Sequence, residues 1–196
     1  MPSVGSNNDY RTVKIDCPLS STLSSTAITL NHILAELRAH ELYSSRLFNT
    51  SHLTGVNTAI VVFIRQRDAL SFIQRTAGPG LRIGSISARV SLVNTPTYPI
   101  AADLAHLISR EGYSRSLVVC NLRETLTSEL RRVLHKSHCR DFIESLEDEY
   151  VAGEICIRFH SVRTAAIAFE LLKRHPCFGN CKFRFQRPVD MAPGCW

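Results

Sequence analysis

The sequence predicts an α+β fold of two βαββαβ units in tandem, joined by a short helical linker. Three observations carry this. The order strand, helix, strand, strand, helix, strand occurs twice, with apolar residues at period two in strands and at three and four in helices. The stretch Thr95-Pro96-Thr97-Tyr98-Pro99 breaks the pattern between the copies. The 196 residues, 44% hydrophobic and 20% charged, have a globular composition that excludes collagen, coiled coil and bulk disorder.

In the first copy, residues 12–17 (TVKIDC) form a strand that Pro18 ends. Ser24 and Ser25 precede a helix with Leu30, Ile33, Leu34 and Leu37 on one face. A second strand is read over 42–48, followed by a loop over 49–57. Residues 59–64 make a β-branched strand, and 68–76 a short helix with Ala69, Phe72 and Ile73 inward. Gly78-Pro79-Gly80 turns into the closing strand, 86–93, with Ile86, Ala88, Val90 and Leu92 on one face.

The second copy begins with the strand 117–122 (LVVCNL). Thr127 is the expected N-cap of a helix carrying Leu130, Val133 and Leu134. A strand over 141–146 leads to the acidic loop Glu147-Asp148-Glu149, and 153–160 (GEICIRFH) alternates Ile155, Ile157 and Phe159 with polar or small neighbours. Ser161 caps a helix with Ala165, Ala168, Phe169 and Leu172 on one face, stopped by His175-Pro176 and Gly179-Asn180. Two registers are open for the last strand, 181–186. The preferred one buries Phe183 and Phe185, because a small domain needs core volume, and turns Lys182 and Arg184 outward. The other would expose the two rings.

Residues 100–110 place Ala101, Leu104, Leu107 and Ile108 at helical spacing, as a linker helix or as a cap on one of the sheets. The expected organisation is therefore an N-terminal segment (1–10), a first domain (11–94), a linker with a helix (95–114), a second domain (115–190) and a tail (191–196). In each domain two helices cover one sheet face and leave the other for function.

The net charge of +6 and pI of about 9.1 suit a polyanionic partner. The charge is spread along the chain, with nine basic and five acidic residues before Pro96 and fourteen and twelve after it. Seven cysteines without framework spacing, several of them inside apolar strands, fit reduced buried thiols. No apolar run approaches the ~20 residues of a membrane span, and residues 1–10 lack a secretory layout. An intracellular location, cytoplasmic or nuclear, is expected. The close at Gly194-Cys195-Trp196 reads as the edge of a longer protein.

Two short stretches carry a family resemblance. Leu117-Val118-Val119-Cys120-Asn121-Leu122 and Ala152-Gly153-Glu154-Ile155-Cys156-Ile157-Arg158-Phe159 resemble the two strand motifs of the RNA recognition motif (RRM), the second at its glycine, Ile157 and Phe159. Ala165 and Ala168 follow at the helix positions such a motif packs on its sheet. In the first copy residues 56–63 and Ala69 stand in the same register. The resemblance covers nearly the whole chain and implies two ferredoxin-like domains. It departs from the family where bases usually stack on rings: Lys14, Thr58 and Ile60 in the first copy, and Val118, Glu154 and Cys156 in the second, carry no aromatic.

By alternation, Lys14 and Arg89 share the first open face, while Arg158, Lys182 and Arg184 form a stripe on the second. Arginine planes can stack on bases and fork onto phosphates. Arg110 and Arg115 flank the linker, and Asn121 belongs to the first motif. These eight residues are the expected RNA contacts. Glu154 opposes them, and Val118, Cys156, Ile60 and Val62 would leave apolar patches that want a cover or a protein partner. His135-x-x-His138-Cys139 and His175-Pro176-Cys177-x3-Cys181 lack zinc-site spacing, so no metal is expected. No phosphate loop or catalytic motif occurs, so neither a cofactor nor an enzymatic activity is expected. The resemblance implies an RNA-binding module of a post-transcriptional mRNA regulator that takes single-stranded RNA, expected as a monomer. The competing expectation is a protein–protein interaction scaffold built on degenerate motifs.

Overall fold

Alternation builds the first sheet. In β1 (Thr12–Pro18), Val13, Ile15 and Cys17 are buried, while Thr12, Lys14 and Asp16 face the other way. The computed structural model describes residues 8–18, 28–148 and 151–188; Ser24, Ser25, Glu149 and the tail 191–196 lie outside the described residues. The chain divides into two units, Met1–Ile100 and Ala101–Trp196.

The first unit continues through α1 (Leu30–Ala35), β2 (Leu42–Phe48), α2 (Ser51–Thr54), β3 (Val56–Phe63), α3 (Gln66–Thr76), β4 (Leu81–Ile83) and β5 (Ile86–Leu92). Its sheet has the order β2-β3-β1-β5-β4, with every pairing antiparallel. Ile33, Leu34 and Leu37 near α1, together with Ala69 and Phe72 of α3, close over Val13, Ile15, Val61 and Phe63. The side chain of Thr29 accepts from the His32 amide and starts α1. Two elements escape sequence periodicity because they are short. α2 sits in the expected loop, and β4 returns onto β5 after Gly80, whose φ of +74° suits glycine.

The second unit holds α4 (Ala102–Arg110), β6 (Ser116–Cys120), α5 (Thr127–Lys136), β7 (Ile143–Asp148), β8 (Ile155–Phe159), α6 (Val162–Arg174) and β9 (Lys182–Phe185). Its sheet has the order β7-β8-β6-β9. Phe183 and Phe185 pack against the core of Leu117, Val119, Ile157, Phe159, Leu130 and Leu172, the preferred register. Ser161 caps α6 by accepting from the Thr164 amide at 3.0 Å. Thr127 is not the cap expected of it. A 3₁₀ turn over Glu124–Leu126 runs straight into α5, so the N-cap position falls on Leu126. Another such turn, Arg140–Phe142, delays β7 to Ile143. Both units are ferredoxin-like βαββαβ sandwiches, two helices on one sheet face, and no helix among the described residues is long and apolar enough to cross a membrane.

Candidate nucleic-acid interface

The outer face of the first sheet can be read in rows. Strand register aligns Phe48, Thr58, Asp16 and Arg89 across β2, β3, β1 and β5. The next row is Arg46, Ile60, Lys14 and Ser91, and the third is Ser44, Val62 and Thr12. Period two puts all of these on the side away from the helices. Ile60 and Val62 are half-buried and Arg46 and Arg89 exposed, so the face is accessible.

A ring lies on this face after all. Phe48 is 37% exposed, with the Arg46 guanidinium over it at 5.1 Å from the centroid. It sits on β2, outside both strand motifs, so a search of the six usual positions passes over it. Strict alternation from buried Leu42 would put Phe48 inward; the register shift between Leu42 and Ser44 reverses the parity, so Leu47 packs on the core and Phe48 faces out. Lys14 reaches Asp16 at 2.7 Å, and Asp16 also accepts from the Thr58 hydroxyl at 2.8 Å. That carboxylate offsets part of the lysine's charge, while Arg89 has no ion-pair partner among the described residues. Beyond the third row, Thr97 bonds the Thr12 hydroxyl at 2.9 Å, and Tyr98 follows with 92% of its surface exposed.

Buried arginines hold this end of the sheet. Arg11 is 2% exposed and donates to the carbonyls of Asn8, Phe63 and Tyr98 at 2.9–3.0 Å. Arg115 is its counterpart in the second unit. Its carbonyl accepts from the Phe159 amide as that of Arg11 does from Phe63, and its guanidinium is buried against Glu144 and the Phe159 carbonyl. Arg115, expected at the surface beside the linker, is placed inside the fold. A cation there needs the acid and carbonyls around it.

The second sheet differs from the expected open, cationic face. Val118 and Cys156, centred on its outer side, have 0% exposure. Arg158 is 7% exposed and bound to Glu147 at 2.5 Å. Arg184 holds Glu154 at 2.7 Å, and this contact keeps the glutamate below the usual carboxylate range. Glu154 thus neutralises a predicted contact. Lys182 and Arg110 are exposed without an ion-pair partner among the described residues, and Asn121 is exposed in a left-handed turn with φ of 59°. The structure gathers Lys14 and Arg89 on one face, adds Arg46 and Phe48, and pairs the two arginines of the second sheet, Arg158 and Arg184, with carboxylates.

The described cysteines are free thiols; Cys17, Cys139 and Cys156 are buried and Cys177 exposed. Burial raises the Cys17 pKa to about 11. Tertiary folding brings Glu129, His175 and Cys177 together, with one ligand atom of each within 4.8 Å of the others.

No family model matches the chain, and no curated protein matches it. Solved structures do. The chain is similar to RNA recognition domains 1 and 2 of Sex-lethal from Drosophila melanogaster, at 17% identity over 90% of this chain and 99% of that one, with a TM-score of 0.30. It is similar to the first two RRM domains of the yeast poly(U) binding protein Pub1, at 15% identity over 89% and 98%, with a TM-score of 0.34. RRM domains 1 and 2 of Prp24 from S. cerevisiae align at 14% identity over 93% and 99%, with a TM-score of 0.32.

Proposed function

We propose that this chain is a single-stranded RNA-binding module whose grip lies on the outer face of the first sheet. The observation that carries the reading is the exposed Phe48–Arg46 pair, in register with Lys14 and Arg89. A ring offers a base its face, and the neighbouring cations meet the phosphates. Tyr98, whose carbonyl accepts from buried Arg11, is a second exposed ring in the same unit. A role in post-transcriptional control of mRNA, in the cytoplasm or nucleus, fits such a module.

The test is titration of the chain with a randomised single-stranded RNA pool. Binding below the micromolar range is expected, weakened by Phe48→Ala by about 1–3 kcal/mol, or roughly five- to 150-fold, since base stacking on a ring is worth that much. Phe48 lies at the surface, so the thermal midpoint should barely move. Absence of binding, or equal loss on removing cations remote from the first sheet such as Arg174, would refute the reading.

The paired cations of the second sheet favour a protein-facing role for the second unit beside this one. A partner captured in the presence of nuclease and lost on replacing half-buried Ile60 with Arg would instead make the whole chain a protein scaffold. Val118 is unsuited to that test, because it is fully buried.

A further inference from the structure

The cluster of Glu129, His175 and Cys177 lies in the second unit, on the side of its helices. Glu129 projects from the first turn of α5, while His175 caps α6 and Cys177 follows in the 3₁₀ turn Pro176–Phe178. Glu129 Oε1 is 3.9 Å from His175 Nε2, and the three ligand atoms lie within 4.8 Å of one another. A tetrahedral zinc ion with bonds of about 2.0–2.3 Å holds its donors about 3.3–3.8 Å apart. Closing this triangle therefore takes a movement of about 1 Å, within reach of side-chain rotation at an exposed cysteine. The donors are a carboxylate, an imidazole and a thiol. This mixture suits zinc, whereas magnesium and calcium demand oxygen alone.

We propose that Glu129, His175 and Cys177 bind a thiolate-preferring divalent cation, zinc above all, with water as the fourth ligand. The proton balance is simple. Glu129 is a carboxylate at neutral pH, as an ordinary glutamate is. In the neutral ring, His175 Nδ1 accepts from the Cys177 amide at 3.4 Å, so the proton sits on Nε2. Metal on Nε2 moves that proton to Nδ1 and releases the amide. The Cys177 thiol gives its proton to solvent, so one proton leaves per metal bound. Two anions and a neutral ring then cancel the dication.

A resident cation competes for the site. Arg132 donates to both carboxylate oxygens of Glu129, at 2.7 and 2.5 Å. Metal must displace that fork, which makes occupancy sensitive to one neighbouring residue that is not itself a ligand. Filled, the site would tie the start of α5 to the turn between α6 and β9, two segments 46 or more residues apart in sequence.

The experiment titrates the whole reduced chain with cobalt(II), then zinc. Expected is a cobalt–thiolate charge-transfer band that saturates at one equivalent, disappears when zinc is added, and is absent in Cys177→Ser. Glu129→Gln and His175→Asn should each weaken cobalt binding by about tenfold or more, and Arg132→Gln should strengthen it several-fold. Zinc should also raise the thermal midpoint of the chain but not that of Cys177→Ser. The proposal is overturned if no such band forms, if the band persists in Cys177→Ser and so belongs to another thiol, or if Arg132→Gln leaves the affinity unchanged. None of these readings depends on RNA.

Discussion

His40 illustrates how a single side chain ties the stability of the first unit to pH. Its ring meets Phe63 and Phe72 edge-on, at centroid distances of 5.6 and 5.4 Å, and its Nε2 is bonded to Arg75. Burial foremost, and the charge of Arg75 after it, lower its pKa to about 4 from the ordinary 6.5. Between those two values the unfolded chain carries a proton that the folded one does not. Stability contributed here is whole above pH 6.5 and is lost as the pH falls toward 4. His40→Phe should keep the ring contacts and remove the titration. Thermal midpoints measured from pH 7 to pH 4 should fall less steeply for the variant, and identical slopes would discard this account. At Gly153 the constraint is steric instead. Its φ is +81°, and an added Cβ would lie 3.2 Å from the Leu122 carbonyl, so the motif glycine there is a backbone requirement of the sheet whatever the chain binds.

Among the elements, α6 and β2 teach opposite lessons about legibility. α6 begins where Ser161 stands, because its hydroxyl accepts from the Thr164 amide, and it ends at His175-Pro176. Those signals are local and readable in sequence. Ser161→Ala should cost about 1 kcal/mol, visible in denaturant unfolding of the second unit, with hydrogen exchange quickened first in the opening turn of α6. The bounds of β2 are equally legible, yet its contribution to the site is not. Which face Phe48 occupies depends on pairing with β3 and on the register shift between Leu42 and Ser44. A one-residue slip would have turned the ring inward. The paired cations of the second sheet failed to announce themselves for a similar reason: Arg158 and Glu147 meet only because β7 pairs β8.

For the molecule as a whole, the count of 23 lysines and arginines overstates the free positive surface. Arg115, Arg158 and Arg184 are bound to Glu144, Glu147 and Glu154, and Lys14 shares Asp16. If three cations of the first face (Arg46, Lys14 and Arg89) meet phosphates, log Kd should change with log salt at a slope of about 2 in magnitude, since single strands release about 0.7 counterion per contact. Isothermal affinities across a salt series test this, and a slope near 4 or above would mean about six contacts, beyond the three cations of this face.

The duplicated βαββαβ order and both cores were determined by the sequence itself, because hydrophobic periodicity is a local property that burial then enforces. Between the two registers open to Phe183 and Phe185, packing against the second core decided. Three further things were left to tertiary structure: the ring on β2, the pairing of Arg158 and Arg184 with Glu147 and Glu154, and the meeting of Glu129 with His175 and Cys177. Each depends on which residues of distant segments become neighbours, and that is set by strand register and helix packing.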